Sequence, residues 1–310
     1  MNPDISIIVP AFNESGRLAI GYQRLAPVLE DLDLARVEVI VIDDGSRDDT
    51  MSRAHEVYGH LPNTLFVQQP ANRGKGASIR LGIAVARGEK LITADADMSI
   101  DPRHFPAMIA ALDASPIVPG SRTEGRLIRY DSALRTYAGA AFNVVVRHYT
   151  GTHLRDTQCG CKGFRRGPAR LLALLSMVDR FAFDAEMLYL AGRLDFMVDP
   201  LHVSWQDVEG SSVHVVHDSL EMLRDIRSLP RTTYVNPVVV LSADVAVDAV
   251  GTAARQARLQ GLVLARGTAD SLLVLPRDGS LGGLGVAAVL DGTLRTAELE
   301  ELKNRRYEAI

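Results

Sequence analysis

Leu91 to Asp101 reads LITADADMSID, a short apolar run that ends in two aspartates one residue apart. In an extended segment the side chains alternate between faces, so Asp95 and Asp97 are expected to point to the same side. Two carboxylates facing one way at the open end of a buried strand repel each other. A divalent cation, usually one that also holds a diphosphate, is the simplest way to neutralise them. A solvated Asp-x-Asp turn is the competing reading of the tripeptide, and the neighbouring segments weigh against it.

Upstream, the chain alternates between two periods. Ile5 to Val9 (ISIIV), Val37 to Ile42 (VEVIVI) and Leu65 to Val67 are short β-branched or apolar runs, each of strand length. Between them, residues 16–32, 51–59 and 77–87 carry apolar residues at helical spacing, as at Leu18, Tyr22, Leu25, Val28, Leu29 and Leu32. Strands that alternate with helices indicate a parallel, doubly wound sheet, which holds its ligands at the carboxyl ends of the strands. Asn13-Glu14, Asp43-Asp44, Arg73 to Lys75 and Asp95 to Asp97 all fall at such ends. Four coincident polar strand ends mark a site.

The second half is less regular. Helices are expected over 103–113, 132–150, 169–175 and 184–192, a strand at Ile117-Val118, and alternating strand signals over 196–205. An amphipathic helix is expected over 214–229. Two prolines bracket 229–237 (LPRTTYVNP), which places a domain boundary near residue 230. The chain thus divides into 1–230 and a smaller α/β domain of 231–310. The latter has strands expected near 238–241, 262–265, 272–275 and 286–290, and helices near 245–259 and 296–307.

The 310 residues carry a net charge of −4, which argues against a general nucleic-acid binder. Residues 121–170 nevertheless hold ten Arg or Lys against three acids, an excess that suits an anionic ligand, an anionic membrane surface or a solvated helix face. Cys159 and Cys161 are too few for a disulfide framework, and a bridge between them would be strained, so a reduced, cytosolic setting fits. No signal peptide is expected, and Asp244 and Asp248 interrupt the longest apolar stretch. His214 and His217 lack a third metal ligand at a suitable spacing.

The ordered set Pro10-Ala11-Phe12-Asn13-Glu14, Asp43-Asp44-Gly45-Ser46, Asn72-Arg73-Gly74-Lys75-Gly76 and Asp95-Ala96-Asp97 resembles the family 2 glycosyltransferases of the GT-A fold. Asp156 to Phe164 (DTQCGCKGF) and Phe183-Asp184-Ala185-Glu186 are similar to the polyprenyl-phosphate (dolichyl-phosphate) β-glucosyltransferases. The resemblance spans roughly residues 4–230. It implies a Rossmann-like, mainly parallel sheet flanked by helices, a nucleoside diphosphate sugar as donor, and Mg²⁺ or Mn²⁺ held by Asp95 and Asp97.

It further implies donor contacts from Pro10, Ala11, Asn13, Glu14, Asp43, Asp44, Gly45, Arg73, Gly74, Lys75, Asp95 and Ala96. Asp184 takes the catalytic carboxylate's place, joined by Arg122. Arg122, Arg135, Gln158 and Lys162 would hold an acceptor phosphate, and Glu186 is either active or a surface charge. The 205–211 segment looks like the family's loop over the donor. The sequence departs from the relatives at Gly139, Cys161 and Ser212.

The favoured expectation is an inverting transfer of glucose from UDP-glucose to polyprenyl phosphate at the cytoplasmic membrane face, with helix 214–229 docking there. GDP-mannose as donor, a soluble glycan or metabolite as acceptor, and a catalytically silent nucleotide-sugar sensor are the alternatives. Oligomeric state is not legible.

Overall fold

The computed structural model describes residues 3–122, 144–149, 152–194, 196–206 and 215–229, and the backbone of 239–242, 262–266 and 271–276. Four parallel strands come first: β1 (Ile5–Ala11), β2 (Val37–Asp43), β3 (Thr64–Gln68) and β4 (Lys90–Thr93). Helices α1 (Leu18–Asp31), α2 (Thr50–Tyr58) and α3 (Lys75–Val85) connect them. A 3₁₀ turn (Pro102–His104) and α4 (Phe105–Ala111) lead to β5 (Ile117–Ser121). Helical residues 144–149 (α5) precede β6 (Lys162–Arg165), α6 (Arg166–Leu175), α7 (Phe183–Arg193), β7 (Leu201–His202) and α8 (Val215–Ser228).

The seven strands stand in the order β3-β2-β1-β4-β6-β5-β7. All pairings are parallel except those of β6, which runs against both β4 and β5. The expected mainly parallel sheet is therefore present, with one reversed strand inside it.

Period-two alternation explains the core. Ile8, Ile40, Ile42 and Leu91 face α3, α6 and α7, whereas Ile7, Val9, Val39, Val41 and Ile92 face α1, α2 and α4. These side chains are fully or almost fully buried, and each is worth about 2 kcal/mol relative to exposure. A sheet covered on both faces leaves only strand ends free for ligands.

Register fixes where those ends meet. Ala11 lies beside Asp43, and Thr93 beside Ile8, so the turn after β4 sits next to the last residues of β1. Helix α1 closes on the same turn. At Gly21 a Cβ would stand 2.0 Å from the Ala96 carbonyl oxygen, so a larger residue there would push the turn away.

Three expectations change. The 196–205 stretch forms only the two-residue β7 with isolated bridges from Val198 to Ile117 and from Trp205 to Ile100. Helix α8 is not a free membrane-lying helix over its described side chains. Ile226 is fully buried with Val146, Ala182 and Ala185, and Met222 packs on the same cluster. The basic 121–170 segment is not one surface either. β6 carries Lys162 to one end of the sheet and Arg165 to the other, where Arg165, Arg166 and Arg170 donate to backbone carbonyls of residues 112–113 and 86–87.

Of the C-terminal expectations, β8 (Val239–Ser242), β9 (Leu262–Arg266) and β10 (Ser271–Pro276) form an antiparallel sheet in the order β8-β10-β9. The helices near 245–259 and 296–307 and the strand near 286–290 lie outside the described residues. Among the described residues no helix is long and apolar enough to cross a membrane.

Candidate active site

β4 ends at Thr93, and Asp95 to Met98 form a turn closed by the Met98 amide on the Asp95 carbonyl at 2.9 Å, with Met98 at φ +48°. The extended geometry on which a shared direction for the two aspartates rests therefore stops at Thr93. Each has its own cation. Lys75 Nζ donates to Asp95 Oδ1 at 2.7 Å, and Arg17 Nη1 to Asp97 Oδ2 at 2.9 Å. Arg17 also pairs with Glu14.

The charges in this corner respond to their surroundings. Burial pushes the Asp95 carboxyl up, but the ammonium of Lys75, followed by Lys162 and Arg122, outweighs it and holds the group below the ordinary carboxylate range. Asp97 goes the other way. Burial and the neighbouring Asp95 raise it more than Arg17 and the Ser99 amide lower it. Glu14 is pushed up to about 7, mainly by burial, against the pull of Arg17, and its Oε2 has no hydrogen-bond partner.

Beside Asp95 lies Asp184, placed by the first turn of α7 and 5% exposed. Lys162 Nζ donates to its Oδ1 at 2.6 Å, and Lys75 Nζ stands 3.8 Å from Oδ2. Lys162 is 1% exposed and also donates to the Cys159 carbonyl, so it is not a surface clamp for a phosphate as expected. Its place on β6, facing Thr93 across the ladder, buries it beneath the site. Glu186 is not a surface charge. It is fully buried and accepts the amides of Met177 and Val178 at 2.9 Å each.

Arg122, at the end of β5, meets Asp156 through Nε at 2.7 Å and Nη2 at 2.9 Å, a two-point pair that fixes the guanidinium plane. Gln158, two residues on from Asp156, keeps a buried Nε2 with no hydrogen-bond partner among the described residues. Arg135 and Gly139 lie outside the described residues, as do residues 207–214, Ser212 among them.

On the donor side the loops after β1 and β2 lace together. Asn13, at φ +53°, donates its amide to Ser46 Oγ and accepts the Arg47 amide, both at 2.9 Å. Asp43 accepts the Ser46 amide and Gln68 Nε2. Asp44 is turned inward rather than toward a base or ribose. Its oxygens take the amides of Arg73 and Gly74 and Gln69 Nε2, which ties it to the 72–76 turn. Gly74 sits at φ +106° with the Asp179 carbonyl 2.4 Å from where a Cβ would be, a conformation only glycine fits. Of the other expected donor contacts, Pro10 and Gly45 are half-buried, Arg73 is exposed, and Ala11 and Ala96 are buried in the core.

The residues suit a magnesium or manganese ion. Glu14, Asp95 and Asp97 offer hard oxygen donors, one of them without a partner, and Gly160 leaves Asp95 uncovered, since a Cβ there would lie 2.4 Å from Asp95 Oδ2. Among the described residues no three acidic, His or Cys side chains enclose an ion on their own. One or two carboxylates plus a ligand's phosphate oxygens is the coordination Mg²⁺ ordinarily takes.

This sheet order, with helices on both faces, is that of the GT-A fold, which the chain shares with solved structures. The sequence profile described as Glycosyl transferase family 2 matches residues 6–172, and the chain belongs to that family. It is 34% identical over 238 residues to the Dolichyl-phosphate beta-glucosyltransferase of Drosophila melanogaster, covering 72% of this chain and 73% of the relative. The Homo sapiens Dolichyl-phosphate beta-glucosyltransferase matches at the same identity and the same shares. Glucosyl-3-phosphoglycerate synthase from Mycobacterium tuberculosis, solved with Mn²⁺ and uridine-diphosphate-glucose, shares the fold with a TM-score of 0.54 at 17% identity. That match covers 89% of this chain and 90% of the synthase.

Sequence reasoning missed Arg17 and Asp156 as parts of this corner. Arg17 stands three residues after Glu14, a spacing that permits an ion pair, but its reach to Asp97 is a product of packing across 80 residues. Asp156 lies within the quoted DTQCGCKGF motif, and its excess of neighbouring cations was the available signal.

Proposed function

We propose that this glycosyltransferase moves glucose from UDP-glucose to a polyprenyl phosphate, with inversion, at the cytoplasmic face of a membrane. One observation carries the reading: Lys75 bridges Asp95 at 2.7 Å and Asp184 at 3.8 Å, and Lys162 closes on the same Asp184 at 2.6 Å, so the acidic turn and the catalytic carboxylate's place form one charged cluster. The relatives named for dolichyl-phosphate glucosyl transfer support the acceptor.

A phosphate monoester is already ionised near neutral pH, so its oxygen needs cationic positioning rather than a base. Arg122, held flat by Asp156, and Gln158 with its free Nε2 supply that positioning. The acceptor oxygen forms a bond to the anomeric carbon as the bond to the β-phosphate oxygen of UDP breaks, and the electron pair leaves with UDP. Asp184, fixed between two lysines, orients the sugar instead of removing a proton. Lys75, paired with Asp95 at 2.7 Å, neutralises the departing diphosphate in this reading. Mg²⁺ or Mn²⁺ bound by Asp95 and Asp97 would add Lewis-acid stabilisation of that leaving group.

The test offers the full chain UDP-glucose labelled in the sugar, a polyprenyl phosphate in detergent, and Mn²⁺ or Mg²⁺. The label should partition into organic solvent and be lost with EDTA. Label that stays in water as a soluble glucoside, or a preference for GDP-mannose, contradicts the assignment of acceptor or donor respectively.

A further inference from the structure

We infer that Lys162 is a positioning residue: buried under the site, it fixes the Asp184 carboxylate in the orientation that the transfer needs. This rests on the proposed transfer reaction and deepens it.

The geometry is specific. Lys162 is among the largest fully buried side chains, and a lysine so enclosed is costly unless its charge is met. Two acceptors meet it, Asp184 Oδ1 at 2.6 Å and the Cys159 carbonyl. Both are held from behind. Thr93 Oγ1 donates to the Gly160 carbonyl at 3.0 Å, which ties the 159–162 segment to the end of β4. Asp184 sits in the first turn of a helix whose next acid, Glu186, is locked by two backbone amides. Lys162 thus takes one carboxylate oxygen and leaves Oδ2 toward Lys75 and Asp95, the side on which the donor diphosphate would lie. A carboxylate pinned through one oxygen by Lys162, with Lys75 3.8 Å from the other, is a well-oriented hydrogen-bond acceptor for a sugar hydroxyl.

An acceptor-binding lysine and a positioning lysine predict different kinetics. Lys162→Met should lower kcat by about a hundredfold, with the acceptor KM and the affinity for UDP and Mn²⁺ held within about threefold. In an Asp184→Asn background the same change should alter kcat by less than about threefold, because the two side chains act as one unit. A raised acceptor KM with unchanged kcat, or effects that simply add, overturns the inference.

If Lys162→Met does not fold, the double variant Lys162→Met/Asp184→Leu decides. Removing both charges should restore the melting temperature toward wild type, since the damage would come from an unpaired buried carboxylate. A double variant that melts as low as the single one overturns the pairing. Wild-type protein that ignores polyprenyl phosphate but turns over another acceptor overturns the acceptor assignment alone, and the same cycle is then read on that acceptor.

Discussion

Arg17 Nη1 lies 2.9 Å from Asp97 Oδ2, and its other terminal nitrogen reaches Glu14, so one guanidinium holds two acids from different strand ends. A side-chain cation thus sits on the second aspartate of the acidic turn. Removing it should unmask the need for another. Arg17→Ala is expected to lose about 2–3 kcal/mol in EDTA, as a partly buried pair broken from one side does. Added Mn²⁺ should raise its melting temperature more than it raises that of wild type. Equal shifts in the two proteins would mean that Arg17 and the ion do not share Asp97.

Glu14 gives a pH signature. Its ordinary value is 4.5 and folding raises it to about 7, chiefly through burial. Between those values the folded state binds more protons than the unfolded chain, so this contribution to stability is complete below pH 4.5 and lost as pH rises toward 7. Glu14→Gln keeps the shape and removes the titration. Wild type should therefore lose about 2–3 kcal/mol relative to Glu14→Gln between pH 4.5 and 8 without added metal. Parallel stability curves for the two proteins would contradict it.

Gly160 is expected to tolerate no side chain without cost to the site. A Cβ would come within 2.4 Å of Asp95 Oδ2 and 2.8 Å of Lys75 Nζ. Both are ends of side chains and can shift, so Gly160→Ala should fold with a melting temperature near wild type. Calorimetry should show UDP binding in Mn²⁺ weakened by about tenfold or more, a loss of about 1.4 kcal/mol. Unchanged affinity would place the diphosphate away from Asp95.

Asp156 should matter through Arg122. Asp156→Asn keeps the volume but loses the charge-assisted two-point pair, which is worth about 2 kcal/mol in a mostly buried setting. The acceptor KM is expected to rise, because the guanidinium is no longer held flat, whereas UDP affinity changes little. A loss of UDP affinity with normal acceptor KM would move Arg122 to the donor side.

Much of the fold was legible because buried parallel strands write themselves as β-branched runs, and all seven residues of β2 are indeed buried. The acidic turn and Asp184 were legible as chemistry at strand and helix ends. What the sequence hid depends on packing over long separations. The inward turn of Asp44, the pairing of Lys162 with Asp184 and the reach of Arg17 each join residues 22 or more positions apart. The reversal of β6 was hidden for the same reason, since its composition matches that of an ordinary short strand. Helix α8 showed the correct amphipathic pattern, but periodicity does not say whether the apolar face meets lipid or α7.

The most direct measurement is a crystal structure of the full chain with UDP-glucose and Mn²⁺, read by anomalous scattering at the manganese edge. The account predicts a manganese peak bound by the Asp97 carboxylate and by the diphosphate, with Asp95 at the donor and Arg17 displaced from Asp97. A peak remote from residue 97, or a diphosphate bound with Arg17 still paired to Asp97 and no metal between them, would contradict it.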